Sequence, residues 1–457
     1  MICTDSRLVK NGDVFIAVPC SNVISHIQQA LQLGASVVFT EEPLIYDTRI
    51  VVVKDAFMMA SRLARVAYPF QPKIAVAITG TNGKSSVAHF LSQIWKHCGI
   101  KSANVGTLGL YIDGEKSGLP CVPNLTTPDA MSLHQILNYL YENSVNHLVF
   151  EASSIALDQK RLNSVTLRAA AFTNLASDHL DYHKTHEAYL NAKLRLFSDV
   201  LHQSQPAIIS MDNDTLYQQV KAVHPHTISF GYNPQNMIRA YNIDANVDKI
   251  TFDLDLDGTV FKTLDLNLLG EFQLSNVLVA ISLAYSTGLD ASKIADTIPY
   301  LTVLNGRMEQ VAVYNDAYVF VDYAHTTEGF KNALQEFRKY TNRRLICVFG
   351  CGGNRDINKR GEMGRIASEL ADIVIVTDDN PRTEEPASIR HAILDKCSKG
   401  LEIADRKDAI KSAIERSRQG DIVVIIGKGH ETTQTYGTIA HPFSDKSVIR
   451  EIIEELS

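Results

Sequence analysis

Apolar residues in this chain fall into short unbroken runs, separated by longer stretches in which they recur every three or four positions. The runs Ile74–Thr79, Leu345–Phe349, Ile373–Val376 and Ile422–Ile426 are nearly continuous, the pattern of parallel strands covered on both faces. The intervening stretches carry helical spacing. Alternation of this kind predicts an α/β chain with doubly wound sheets.

The same pattern divides the chain into three sections. Residues 1–69 hold short strands at Val14–Val18, Ser36–Thr40 and Ile50–Lys54 with a helical pattern at His26–Leu33, a small α/β module. Two prolines in YPFQPK (68–73) mark a linker. Residues 70–306 open on the strand Ile74–Thr79, and Thr251–Leu268 alternates apolar and polar positions as a half-exposed hairpin does. Residues 307–457 add the strand Tyr318–Val321 to the three later runs.

Composition narrows the class. A length of 457 residues exceeds one ordinary core. Hydrophobic residues make up 45% and charged residues 21%, as in a globular protein, and no apolar run approaches the roughly 18 residues of a membrane span. The opening MICTDSRLVK has no basic segment leading into an apolar one, so no secretory signal is expected. Seven cysteines lie scattered without a CxxC pair, which favours reduced thiols over a disulfide frame or zinc site. A net charge of -7 argues against a general nucleic-acid binder, while local positive clusters can still hold small anions. The expectation is a cytoplasmic protein, monomeric, with no membrane insertion.

The strongest local signal is AITGTNGKSSVAHF (77–90). An apolar strand runs through Gly80, Thr81, Asn82, Gly83, Lys84, Ser85 and Ser86 into a helical pattern. Glycines let backbone N–H groups turn toward phosphate oxygens, and a helix N-terminus adds partial positive charge. Lys84 reaches the β/γ-phosphates and the Ser85 hydroxyl joins an Mg²⁺ shell. The first glycine of GxxxxGK[ST] falls on Ile78, so the loop is a variant. Two further positions follow from strand ends. Glu151 closes the apolar Leu148–Phe150, where a carboxylate can hold Mg²⁺. IVIVTDDNPR (373–382) ends a buried strand in a charged, rigid turn, where open α/β sheets collect ligands.

TGTNGKSS, taken with TDSRLVKNGDVFIAVP (4–19), NLTTPD (124–129), EASS (151–154), FTNLASDHLDYH (172–183), AKLRLF (192–197), GRME (306–309), DYAHT (322–326), FGCGGNRD (349–356), DDNPRTEEP (378–386) and GKGHE (427–431), resembles the ATP-dependent Mur ligases. These enzymes add amino acids to the peptidoglycan precursor. The resemblance implies three domains (1–69 binding a UDP-sugar, 70–306 a central P-loop ATPase-like domain, 307–457 a Rossmann-like domain for the amino acid). It implies a ligase that uses ATP and Mg²⁺ to phosphorylate a carboxylate and then lets an amine displace the phosphate. Lys84, Glu151, His179 and Lys193 become catalytic candidates, with Ser85, Glu151 and His179 at the metal. The AKxxLF pattern implies that Lys193 is carbamylated by CO₂ to N6-carboxylysine. Asn276, Arg307 and Asp322 are implied in nucleotide binding.

Substrate positions follow in the same way. Ser6, within Asp5-Ser6-Arg7, is implied at the uridine-diphosphate end, and Thr126, Thr127, Ser153, Gln159 and Arg161 along the muramoyl-dipeptide of UDP-N-acetylmuramoyl-L-alanyl-D-glutamate. DNPR marks members selecting meso-diaminopimelate, through Arg355, Asp379, Asn380, Arg382, Gly427 and Glu431. The chemistry agrees, because an arginine fork accepts a second carboxylate and repels the ammonium that lysine would offer there. Two positions depart from the family pattern: Ile155 stands where His is common after the ESS-type motif, and Gln273 where Asn is common. Folylpolyglutamate synthases share the phosphate loop but are disfavoured by the DSR and DNPR motifs.

Overall fold

The computed structural model describes residues 1–43, 47–119, 125–176 and 180–456, and for Leu180 and Asp181 the backbone alone. It divides into two compact units. One comprises Met1–Asp244, Thr251–Leu266 and Glu271–Leu301, the other Ala245–Ile250, Asn267–Gly270 and Thr302–Ser457.

The first unit carries two sheets. A four-stranded parallel sheet orders Ile2–Cys3, Val14–Ala17, Val37–Thr40 and Ile50–Val52. Helix Val23–Gln32 covers one face through Val23, Ile27, Ala30 and Leu31, and Ala56–Ala67 covers the other through Ala56 and Ala60. The first helix begins ahead of the predicted His26 because Val23 and Ile27 extend its apolar stripe. Asp55 caps the second, its side chain accepting from Met58 N.

The second sheet of this unit has eleven strands among the described residues. Ile74–Thr79 runs in parallel between His147–Glu151 and Ala169–Phe172, so the loop after it emerges mid-sheet. Helix Lys84–His97 follows that loop and packs on Glu271–Ser286. The latter helix is buried on nearly every side, as its unbroken apolar sequence requires. The expected hairpin is present as Ile250–Leu256 and Thr259–Leu266, neighbours in the sheet. Asp257 and Gly258, both at positive φ, turn it as a tight Asp-Gly hairpin should.

The second unit is built on a six-stranded sheet in the order Glu309–Tyr314, Ala317–Asp322, Ile422–Ile426, Leu345–Phe349, Ile373–Val376, Gly400–Glu402. Only the first pair is antiparallel. Successive residues of Leu345–Phe349 and Ile422–Ile426 alternate between two apolar clusters, one on each face. That double burial is why these strands read as continuous apolar runs. The carboxyl ends of Ile422–Ile426, Leu345–Phe349 and Ile373–Val376, neighbours in that order, carry the GKGHE, GGNRD and DDNPR segments. Among the described residues no helix is long and apolar enough to cross a membrane.

Candidate active site

The phosphate loop is a turn pinned from several sides. Gly83, at φ +84, caps helix Lys84–His97, and a Cβ there would meet the side-chain amide of Asn276. Asn276 Nδ2 in turn donates to Gln273 Oε1 at 3.3 Å. Thus Gln273, which departs from the family pattern, still holds the asparagine beside the loop. The N–H of Asn82 donates to Asn174 Oδ1 at 2.9 Å, and Thr173 Oγ1 donates to Asn82 O at 2.6 Å. Thr81 Oγ1 accepts from Ala176 N at 2.9 Å and lies 3.1 Å from the Tyr189 hydroxyl. Ser86 sits in the first turn of the helix.

Two ammonium groups converge on one carbonyl of this loop. Lys84 Nζ donates to Gly80 O at 2.8 Å and to Thr81 O at 2.9 Å, while Lys193 Nζ donates to Gly80 O at 2.8 Å. Lys193 is 1% exposed, with Nζ 4.5 Å from the centre of the Tyr189 ring. A lysine beside an apolar face usually snorkels outward; this one turns inward to the loop.

Glu151, 3% exposed, is the hub of the site. Ser85 Oγ donates to its Oε1 at 2.7 Å, as does Thr107 N at 3.1 Å, and Thr107 Oγ1 donates to Oε2 at 3.2 Å. Gly106 makes room for this carboxylate, since a Cβ there would fall 2.6 Å from Glu151 Cδ. Carboxylate and hydroxyl oxygens in contact are the hard donors Mg²⁺ takes, usually one or two carboxylates with substrate phosphates completing the shell. His179, expected beside them, lies outside the described residues.

A polar ladder leads away from Glu151. Thr107 Oγ1 and Thr126 Oγ1 are 3.1 Å apart. Thr127 Oγ1 donates to Glu151 O at 2.7 Å and accepts from Ser153 N at 3.0 Å. Arg161 donates to Thr127 O at 2.6 Å and through Nε and Nη2 to Gln159 Oε1. Burial pushes its guanidinium below the usual arginine range, against the pull of Asp129. The structure therefore brings Ser85, Glu151, Thr126, Thr127, Ser153, Gln159 and Arg161 into one contiguous set. Ser6 lies apart in the four-stranded module, its hydroxyl donating to Gln29 Oε1 at 2.7 Å.

In the second unit, Asp322 closes its strand and accepts from Met308 N and Ala324 N, each at 2.8 Å. Burial pushes this carboxyl up while those N–H groups oppose the shift. The exposed Arg307 guanidinium lies 4.9 Å from the Tyr323 ring centre. Nearby, Arg382 Nη1 donates to Gly353 O at 2.7 Å, and the exposed Arg355 has its Cγ against Gly352. Arg382 adopts φ +54, rare for a side-chain residue, and its backbone is fixed by Thr435 O and Gly437 N. Asn380 Nδ2 donates to Glu431 Oε2 at 2.8 Å. Burial pushes the Asp379 carboxyl up, opposed by Arg406 and Lys428. Burial acts the same way on Glu431, but hydrogen bonds from Lys428 and Asn380 outweigh it and hold that carboxyl below its ordinary value. Gly427 lies against Asp379.

Sequence reasoning passed over Gly106, Thr107 and Lys428. The first two sit in VGTLG, a stretch with no distinctive pattern. Lys428 sits inside GKGHE, where a lysine between glycines reads as solvated, yet it is fully buried.

Residues 78–284 match the Mur ligase middle domain, and residues 306–429 match the Mur ligase glutamate ligase domain. The chain is 40% identical to UDP-N-acetylmuramoyl-L-alanyl-D-glutamate--2,6-diaminopimelate ligase of Rhizobium meliloti (strain 1021), over 99% of this chain and 93% of that protein. A solved structure of a ligase of the same name is 32% identical, with a TM-score of 0.76 covering 100% of this chain and 94% of the other. The fold also matches the MurF ligase of Thermotoga maritima in complex with ADP, at 18% identity and a TM-score of 0.60 over 99% of this chain and 97% of that one. With the middle and glutamate ligase domains both matched and full-length identity of this order, the chain belongs to the Mur ligase family.

Proposed function

We propose that this protein joins meso-diaminopimelate to UDP-N-acetylmuramoyl-L-alanyl-D-glutamate at the expense of ATP, as the names of its full-length relatives suggest. The observation that carries the specificity is the placement of Arg382 and Glu431, opposite charges in the segments beyond the carboxyl ends of Ile373–Val376 and Ile422–Ile426, the two strands that flank Leu345–Phe349, with Asn380 Nδ2 donating to Glu431 Oε2. A diamino-dicarboxylate offers each a partner at its distal centre: carboxylate to Arg382, ammonium to Glu431. Lysine has no distal carboxylate, and would leave the arginine unanswered.

The chemistry transfers the γ-phosphoryl group of ATP to the D-glutamyl carboxylate. The neutral amine of the diamino acid attacks the resulting acyl phosphate, and phosphate leaves to give amide, ADP and inorganic phosphate. Because two anions meet in the first step, charge neutralisation and alignment dominate. Lys84 exchanges its loop carbonyls for phosphate oxygens. Ser85, Glu151 and His179 would hold Mg²⁺, which supplies charge neutralisation at the phosphates when bound. Thr126, Thr127, Ser153, Gln159 and Arg161 orient the dipeptide arm, and Ser6 the uridine-diphosphate end. Asn276, Arg307 and Asp322 serve the nucleotide. Lys193 is carried as a carbamate, a modification tested by whether activity falls when CO₂ is stripped and returns with bicarbonate.

The test is Arg382→Ala. It should raise KM for meso-diaminopimelate by on the order of a hundredfold, the scale of a lost charge-assisted pair, and leave KM for ATP nearly unchanged. Equal changes in both would refute the assignment.

A further inference from the structure

Lys428 is fully buried between Asn380, Glu431 and Thr433, and has no part in the reaction described above. Its Nζ donates to Thr433 O at 2.7 Å, Glu431 Oε2 at 2.8 Å and Asn380 Oδ1 at 3.1 Å. All three ammonium protons are thereby used. Asn380 Oδ1 also accepts from Thr435 N at 2.9 Å. A flipped amide would set its NH₂ against both an ammonium and a backbone N–H, so Asn380 has a single workable orientation. That orientation sends Nδ2 to Glu431 Oε2. Glu431 Oε2 therefore receives two donors, while Oε1 has no hydrogen-bond partner among the described residues.

We propose that Lys428 is a positioning residue for the diamino acid: acting through Asn380 and Glu431, it locks the amide's sense and turns Glu431 Oε1 toward the substrate's distal ammonium. This rests on the reaction proposed above. The buried cation also sets the charge balance. Lys428 and Arg406 are the cations that offset the Asp379 carboxylate, and Arg406 is already committed to Asp445 through Nε and Nη2.

The experiment uses Lys428→Gln, which keeps a donor but removes the charge, together with Lys428→Met, in the full chain. Each is measured alone and in a Glu431→Gln background. KM for meso-diaminopimelate should rise on the order of tenfold in Lys428→Gln and more in Lys428→Met, with KM for ATP and for the UDP-linked dipeptide held within about threefold. In the Glu431→Gln background, Lys428→Gln should add less than about twofold, because its effect passes through that carboxylate. If Lys428→Met does not fold, Lys428→Gln carries the test. Equal rises in all three KM values, or full multiplication of the two single effects, would overturn the role of Lys428. A parent protein that fails to turn over meso-diaminopimelate would overturn the proposed reaction, and this role with it.

Discussion

Gly106→Ala isolates the placement of Glu151 from its presence. Gly106 ends the strand Ser102–Gly106 with no positive φ recorded, so alanine meets no backbone strain. Its new Cβ would stand 2.0 Å from Glu151 Oε1 and 2.6 Å from Cδ, against an ordinary contact of about 3.5 Å. The carboxyl group must retreat by about 1 Å, and it then loses its alignment with Ser85 Oγ, Thr107 N and Thr107 Oγ1. A displacement of that size in a reacting constellation costs on the order of 100-fold in rate, equivalent to about 2.7 kcal/mol of barrier. The glutamate side chain is flexible and can absorb the movement, so the fold should survive. Initial rates of phosphate release, with thermal unfolding as a control, check this. A folded Gly106→Ala protein with kcat within about threefold of the parent would refute the reasoning.

Asp445→Ala strands Arg406, since both partners are completely buried and joined by two hydrogen bonds of 2.7 and 2.8 Å. Removing one member of such a pair costs about 3–5 kcal/mol, read as a lower urea midpoint; a loss under about 1 kcal/mol would contradict it. His134 gives a pH signature. It is fully buried, and burial, aided by Arg65, pushes its pKa from 6.5 down to about 4 against the opposing pull of the Tyr68 backbone. The unfolded chain takes the proton first as pH falls, so stability present above pH 6.5 is lost progressively toward pH 4. That amounts to about 2 kcal/mol between pH 7 and pH 5, and His134→Leu should flatten the slope.

Much of the fold was legible because burial on both faces leaves a plain mark. Ile74–Thr79, Leu345–Phe349, Ile373–Val376 and Ile422–Ile426 begin and end where their apolar runs do. The strand Ala169–Phe172, sequence AAAF, was not legible: alanine has little strand preference, and pairing with Ile74–Thr79 supplies what the local sequence lacks. At the site, the phosphate loop announces itself because glycine, lysine and serine occupy consecutive positions. The contact between Ser85 and Glu151 joins residues 66 apart, and the third member, Thr107, comes from a stretch without signal. Arg382 was visible as a charge at a strand end. Its left-handed backbone was not, because it depends on pairing with Thr435 and Gly437. Lys428 was hidden for the same reason, its burial being made by Asn380 and Thr433 folding over it.

The central claim is tested most directly by phosphate release from ATP with the UDP-linked dipeptide and one amino acid at a time. Release that requires the dipeptide and meso-diaminopimelate together, with lysine inert, is the predicted result. Turnover with lysine and none with meso-diaminopimelate would contradict the account at Arg382.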